Sequence, residues 1–570
     1  MAPNSFSQVQ TKGKARSFMA LSGLLIVFAM LLAACGGTPA SNSSTPAAKK
    51  SVLKIAAQSS DFTQAGLNPY NTHPDAGLSL LYETLLFNNV NDGSYAPQLA
   101  SDYKWNSDFS AVTFTIRQNV KWNDGQAFSA DDVVFTFNAL KQYPAADSFG
   151  VWGSLKDVSS PDASSVVFTF QKPYSQPALE QAAGKVYIIP KHIFASAGDP
   201  TKFVSSDNKP VGTGPYMLSK FQPDLTVYNK NPNYWQADKV KVDQVQFPEY
   251  KDNPSALLAL AKGDVDMGGY FSPSLKTDFV AADPTNHKLF FDAINLYGIC
   301  VNQKDSVVGG AAGLPVRLAL SAALDRQQIA GQATAGLEDG ASPTGLILPT
   351  RKDWLDPAYA NIPATADTAK AEKYLTDAGY TKGSDGIYAK GGKRLSLELR
   401  SVVGYDDWNA AAKLVADQAK AVGIEIKNTT VAENDYYTLR TDGKYDYQMM
   451  FCGMVGGSTP YDLYNNYLNS VNIGANKVNF TAWKDDQTDK LLQTFATTAD
   501  PATQKQAIAG IEKIVVENQP FLALWNGADY AEYSTKNFTG WPDATNPYAS
   551  GSPNTGPDYE IVILHLQPVA

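Results

Sequence analysis

Val120-Lys-Trp122-Asn-Asp124-Gly125-Gln-Ala-Phe128-Ser-Ala-Asp131-Asp132-Val133 holds a turn and a helix start in one line. Just before it, Val112-Thr-Phe114-Thr-Ile116-Arg alternates apolar and polar residues, the period of a half-buried strand. Asn123-Asp124-Gly125 is a turn signal. Ser129 then offers an N-cap with an acid three residues on, and 133–140 continues as a short helix. The Asp131-Asp132 pair thus has a plain structural task at a helix start.

Outward from this unit, the chain keeps alternating. Gly212-Thr-Gly214-Pro-Tyr216 is a tight turn feeding a strand over 217–228. No Gly-Lys-Ser/Thr follows, so it is not a phosphate loop. Pro315 sits where a first helical turn tolerates it, and 316–329 reads as one helix. Helices are expected over 369–378, ending at Gly379, and over 410–421, ending at Gly423 before a strand at 424–427. Another covers Pro501–Asn518, followed by the strand Phe521-Leu-Ala-Leu-Trp525. Asp485-Asp486 is expected in a turn. Strand–helix alternation of this kind predicts α/β lobes, and no internal repeat is visible.

Upstream lies an address label. Lys12, Lys14 and Arg16 precede an apolar run over 18–32, then Leu32-Ala33-Ala34-Cys35-Gly36. Positive charge, a short apolar core and a small-residue cleavage site make a secretory signal. The run is too short to read as a spanning helix. Leu-Ala-Ala-Cys resembles the lipobox of bacterial lipoproteins, which implies cleavage before Cys35 and acylation of its thiol and new amino group. An ordinary signal peptide with a chance cysteine is the alternative. From Gly36 to Lys50 there is no large apolar residue, so this stretch cannot bury a core and reads as a tether. About fifteen residues reach at most roughly 50 Å.

The 570-residue chain is 44% hydrophobic and 11% aromatic, and its length exceeds what one core supports, so two or three lobes are expected. Its formal charge is −9; losing the three basic residues of the leader leaves 44 basic against 56 acidic residues, or −12. That balance argues against nucleic acid as a partner, since phosphate binding needs basic surface, and plain solubility accounts for it. Beyond Cys35, only Cys300 and Cys452 remain: one disulfide, or two buried free thiols. The four histidines, His73, His192, His287 and His565, share no metal-ligand spacing, and no nucleophile or zinc motif occurs. No cofactor is expected. Nine tryptophans and 29 tyrosines in an acidic, exported, multi-lobed chain favour ligand capture over chemistry.

Several segments together resemble one family. Ala96-Pro-Gln-Leu-Ala-Ser-Asp-Tyr, Phe114-Thr-Ile-Arg and the 120–133 stretch are similar to the signature of family 5 extracellular solute-binding proteins, the oligopeptide- and dipeptide-binding components of ABC importers. Leu67-Asn68-Pro69, Leu81-Tyr-Glu83-Thr-Leu-Leu, Gly212–Tyr216, Asn231-Pro-Asn-Tyr-Trp235 and Val316-Arg317-Leu-Ala-Leu-Ser-Ala-Ala-Leu-Asp325-Arg326 fit the same pattern. The resemblance implies an α/β, two-lobed, periplasmic-binding-protein-like fold with an extra third domain and hinge closure over an interlobe cleft. Carried over, residues 1–34 are the signal peptide and 35–50 the lipidated cysteine and tether. Domain I comprises 51–94, 211–298 and 530–570; domain II is 95–210 and domain III is 299–529. The hinge falls near 298 and 530.

The same resemblance implies a substrate-binding lipoprotein, monomeric, on the extracytoplasmic face of the cell membrane and tethered by lipid alone, delivering peptides to an ABC permease. An oligosaccharide receptor of the same fold is the alternative, and a secreted hydrolase a remote one. Nickel-binding members exist, but histidine is scarce here. Some peptide binders anchor the ligand's amino group on an aspartate two residues past a cysteine in domain III; here that place is Met454, and Asp462 is the nearest acid. The resemblance also implies a Cys300–Cys452 bridge. Expected cleft residues are His73 and Asp75 in domain I, Trp152 in domain II, and Phe451, Gly453, Met454, Tyr461 and Asp462 in domain III, with Trp525 on the hinge side. The Gly-Gly-Ser-Thr-Pro-Tyr run and Trp483 would suit a sugar.

Overall fold

The computed structural model describes residues 50–58, 67–71, 77–173, 176–205, 209–222, 224–475, 477–553 and 556–569. The leader, Cys35, the tether to residue 49, His73 and Asp75 lie outside the described residues.

Apolar side chains segregate into two large cores. One draws on residues 53–290 and 531–566, the other on residues 296–525. A small third core packs Ala256, Leu260, Val265 and Phe279 against Ala56. The chain therefore passes between the two large cores twice, at 291–295 and at 526–530. Both passages lie in one ribbon: His287–Val301 pairs antiparallel with Phe521–Ser534, Asp292 opposite Asp529 and Tyr297 opposite Trp525. The register shifts between Ala293 and Asn295 and again between Tyr297 and Gly298. Such bulges bend a strand and raise its twist, so the ribbon is irregular where it leaves one lobe for the other.

The ribbon is the middle of a six-stranded sheet, in the order Met267–Gly268, Phe521–Ser534, His287–Val301, Met449–Val455, Ser396–Val402 and Glu425–Val431. The first lobe adds two larger sheets and two short two-stranded ones. In one larger sheet, Gln244–Tyr250 pairs parallel with Val52–Lys54 and antiparallel with Leu225–Lys230. The other larger one is the antiparallel set Ala100–Trp105, Ala111–Ile116, Ser165–Phe170 and Leu155–Asp162.

The 120–133 stretch behaves as a fastener. Gly125 takes φ +93° in its turn, a conformation that favours glycine. Trp122 is fully buried with its ring edge-on to Phe128 and His192. The Asn123 amide N–H donates to Gly212 O at 2.9 Å. Ser129 and Asp132 form a capping box on helix Ala130–Gln142, and Asp132 also accepts the Lys191 N–H at 2.9 Å. Three separated segments are thereby held together. A second network joins three other motifs: Trp235 Nε1 donates to Glu83 at 2.8 Å, while the Tyr234 hydroxyl and Gln98 donate to Glu560 at 2.9 and 3.0 Å. Burial pushes Glu83 up to about 7, and burial together with the neighbouring Glu83 holds Glu560 well above the usual carboxylate range.

Three sequence expectations change. The 316–329 helix is two helices, Leu314–Ala323 and Arg326–Ala333. Asp325 breaks the run by capping the second, accepting the Gln328 N–H at 2.8 Å. The turn lets buried Arg326 donate to Ala523 O and to Ser321. The 217–228 strand is a hairpin of Tyr216–Gln222 and Leu225–Lys230. Asp485 is not in a free turn but is the N-cap of helix Asp486–Ala496, accepting the Thr488 N–H at 2.7 Å. Helix Pro501–Asn518 stands as read, with Asp500 as its cap.

Candidate functional site

Between the lobes runs a cleft of about 930 Å³, within the ~300–1,000 Å³ range of ligand clefts. One wall is the loop at 147–154 with 171–173, Gln181 and Lys185; the other is helix Pro460–Leu468 with the segments after it, up to Ala496. The helix begins at Thr459 because Thr459 and Asp462 close a capping box, the Thr459 N–H donating to Asp462 at 3.1 Å. Tyr461, one residue before, stacks on Phe495 at 4.9 Å and lines the cleft.

A buried polar knot closes the cleft from the inside. Ser458 donates its hydroxyl to Glu180 of the opposite lobe, and Lys185 pairs with Glu180 at 2.8 Å. Arg351, 3% exposed, donates to Asn91 O at 2.8 Å, to Gly457 O at 2.6 Å and to Val90 O. One guanidinium thus binds backbone carbonyls of both lobes. Burial works against charge on Glu180, but the Lys185 ammonium outweighs it and holds the carboxyl below its usual range. Burial, and then repulsion from Glu180, pushes Asp462 up to about 7. Gly184 touches Asn88 closely enough that a Cβ would sit 3.1 Å from the Asn88 Cβ. That close approach seats the Glu180 segment against the first lobe.

The residues expected in the cleft divide into two groups. Tyr461 and Asp462 stand at the interlobe cleft and knot. Gly453 is half-buried beneath the Tyr297 ring. Phe451 and Trp525 are fully buried in an aromatic stack: Phe451 lies 4.9 Å from Trp408, and Tyr297 lies 5.2 Å from Trp525. Met454 is fully buried in the same core. These three pack the second lobe and do not line the cleft. Trp152 is fixed by its Nε1 donating to Phe137 O at 2.8 Å and by Lys141 over its ring; its neighbours Gly153 and Ser154 line the wall instead. Trp483 is buried and donates to Thr488. Cys300 and Cys452 form a disulfide with Cα atoms 5.9 Å apart, between the strands His287–Val301 and Met449–Val455.

Sequence reasoning missed Glu180, Lys185 and Arg351, which lie in no periodic pattern. It did quote Ser458, inside the glycine-rich run, without assigning it a partner. No group of three His, Cys, Asp or Glu among the described residues is arranged to hold a metal ion. His192 pairs with Asp124 at 2.8 Å, and His287 and His565 bond backbone carbonyls. Among the described residues no helix is long and apolar enough to cross a membrane.

Comparison with known proteins supplies the family. Residues 94–475 match the description of bacterial extracellular solute-binding proteins, family 5 Middle. The oligopeptide-binding protein AppA of Bacillus subtilis is 26% identical over 90% of this chain and 94% of its own. The dipeptide-binding protein of Escherichia coli is 24% identical, over 82% and 88%. An oligopeptide ABC transporter periplasmic binding protein of Thermotoga maritima has the same fold, at a TM-score of 0.81 and 23% identity, covering 91% of this chain and 99% of that one. It has also been solved with mannohexaose bound. With two cores, a double crossing and a polar cleft between them, this chain belongs to the family 5 bacterial extracellular solute-binding proteins.

Proposed function

We propose that this chain is the peptide-capturing receptor of an ABC importer, held at the outer face of the membrane by a lipid on Cys35. The observation that carries this reading is mechanical. Two cores are joined by the chain at two adjacent points of one ribbon, and a cleft opens between them. Ligand adds contacts to both walls at once and shifts the hinge toward the shut form. A shift from mostly open to mostly shut needs about 5.5 kcal/mol of differential binding. The permease then reads the shut shape, and the ligand leaves chemically unchanged. The names of the Bacillus and Escherichia relatives favour peptides as the cargo, and Leu32–Cys35 favours the lipid anchor.

An oligosaccharide is the second reading. It is favoured by the asparagines at 465, 466, 469 and 472 on one cleft wall and by the mannohexaose held by the Thermotoga neighbour. Calorimetric titration of the mature protein with di- to penta-peptides and with mannohexaose separates the two. Saturable peptide binding with no sugar binding supports the first reading, and the reverse supports the second. Conversion of either ligand into products would overturn pure capture. Mass spectrometry of Cys35 in the membrane fraction tests the anchor, and an unacylated thiol would remove it.

A further inference from the structure

The walls of the 930 Å³ cleft carry an uneven chemistry. Among the described residues, nine large hydrophobic side chains are exposed, and three of them line this one cleft: Phe149 at 47%, Val471 at 69% and Val478 at 40%. Phe149 is on one wall and the two valines are on the other, so apolar surface faces apolar surface across the cleft. Scattered exposed hydrophobics need no explanation, but a cluster facing across a cleft marks a binding surface.

The charges there are also one-sided. Both acids of the cleft are already used by the protein. Asp147 accepts the Val151 N–H at 2.8 Å and the Trp152 N–H at 3.0 Å, and Asp489 accepts the Ser470 N–H at 2.9 Å and its hydroxyl. Lys185 is used by Glu180. Lys172 and Lys477 line the cleft, one from each side, with no ion-pair partner among the described residues. The side chains of Gln181 and Asn466, also from opposite walls, form no hydrogen bond among the described residues. What remains open is therefore apolar surface, two cations and neutral amides.

We propose that this cleft is a subsite for the carboxyl-terminal end of a bound peptide. Its last side chain is apolar and lies between Phe149 and Val471 with Val478; its free carboxylate meets Lys172 and Lys477; Gln181 and Asn466 bond its backbone. The proposal rests on the peptide reading above and adds a preference to it: apolar at the last residue, and against basic residues or a blocked terminus.

The test is calorimetry on the mature protein with penta-alanine and with alanine peptides ending in Leu, Lys or amidated Leu. The Leu peptide should bind about tenfold more tightly than the Lys and amidated ones, a difference of ~1.4 kcal/mol. Lys172→Ala with Lys477→Ala should erase the difference between free and amidated Leu. Phe149→Ser should erase the preference for Leu over Ala and leave that difference in place. Equal binding of all four peptides overturns the subsite while leaving peptide capture standing. Binding of mannohexaose and of no peptide overturns both. Octanoate binding as tightly as the Leu peptide also overturns it, because the cleft would then read an acyl chain.

Discussion

Ser458 of one lobe donates its hydroxyl to Glu180 of the other, and both side chains are buried. The acceptor is ionised, being held so by Lys185. A hydrogen bond to a charged group contributes about 1.5–3 kcal/mol, and this one exists only while the lobes are shut. Ser458→Ala should leave both cores intact and weaken closure. Ligand affinity should fall roughly 10- to 100-fold, with a larger radius of gyration by solution scattering. A Kd unchanged by Ser458→Ala would show that the bond adds nothing to closure.

Arg351 spans the same interface by a different device, one fork on three carbonyls of two lobes. Lysine keeps the charge but is a point donor and cannot reproduce the planar fork. Arg351→Lys should therefore cost nearly as much ligand affinity as Arg351→Ala, and both should lower Tm. A lysine variant with wild-type affinity would reduce the contact to simple charge.

Local signals in the chain reach as far as elements and stop short of the cleft. Ser129–Asp132, Pro501–Asn518 and the glycine stops at 379 and 423 are legible because capping and turn chemistry act within a few residues. Asp325 and Asp485 escaped because an aspartate looks the same in a turn and at a cap until the next N–H is placed. Glu180 and Ser458 are 278 residues apart, and nothing local to either foretells the other. Phe451 reads as a cleft aromatic of domain III and Trp525 as a hinge-side one, but an aromatic's side of a strand depends on register. The register places them on Trp408 and Tyr297, inside the core.

Asp292 and Asp529 face each other as cross-strand partners where the ribbon leaves the first lobe. Burial, and with it the facing carboxylate, pushes Asp292 up to about 7, despite bonds from Ser550 and Gly551 and an Asn91 amide nearby. The unfolded value is about 3.9. Between those limits the folded chain keeps a proton that the unfolded chain has lost, so stability falls as pH rises from about 4 to 7. The slope for one such proton is about 1.4 kcal/mol per pH unit. Asp292→Asn carries the neutral form at every pH and should raise Tm at pH 8 while changing it little at pH 4. A variant tracking the wild type across this range would place the titration elsewhere.

The Cys300–Cys452 bridge closes a separation of 152 residues, about two thirds of the stretch that builds the second core. In the chain-entropy account a loop of that size stabilises by about 5 kcal/mol. The double serine variant should lose that much in denaturant unfolding of the second lobe and leave peptide Kd near the wild-type value. A large loss of affinity at unchanged stability would instead tie the bridge to the cleft.

Tyr297 lies across the ribbon over two glycines, and that arrangement depends on the absence of side chains beneath it. A Cβ at Gly527 would run into the Tyr297 ring, and one at Gly453 would sit 3.1 Å from it. Trp525, stacked on the ring's other neighbour position at 5.2 Å and 17°, leaves the tyrosine little room to retreat. Gly527→Ala should therefore destabilise by about 1–3 kcal/mol, the usual cost of overpacking, and change the near-ultraviolet circular dichroism of the stack. Gly453→Ala should do so more mildly. Adding Tyr297→Leu to Gly527→Ala should recover much of the loss, since residues in contact do not add independently. If the double variant is no more stable than Gly527→Ala alone, the glycine is required for the path of the backbone and not for the ring above it.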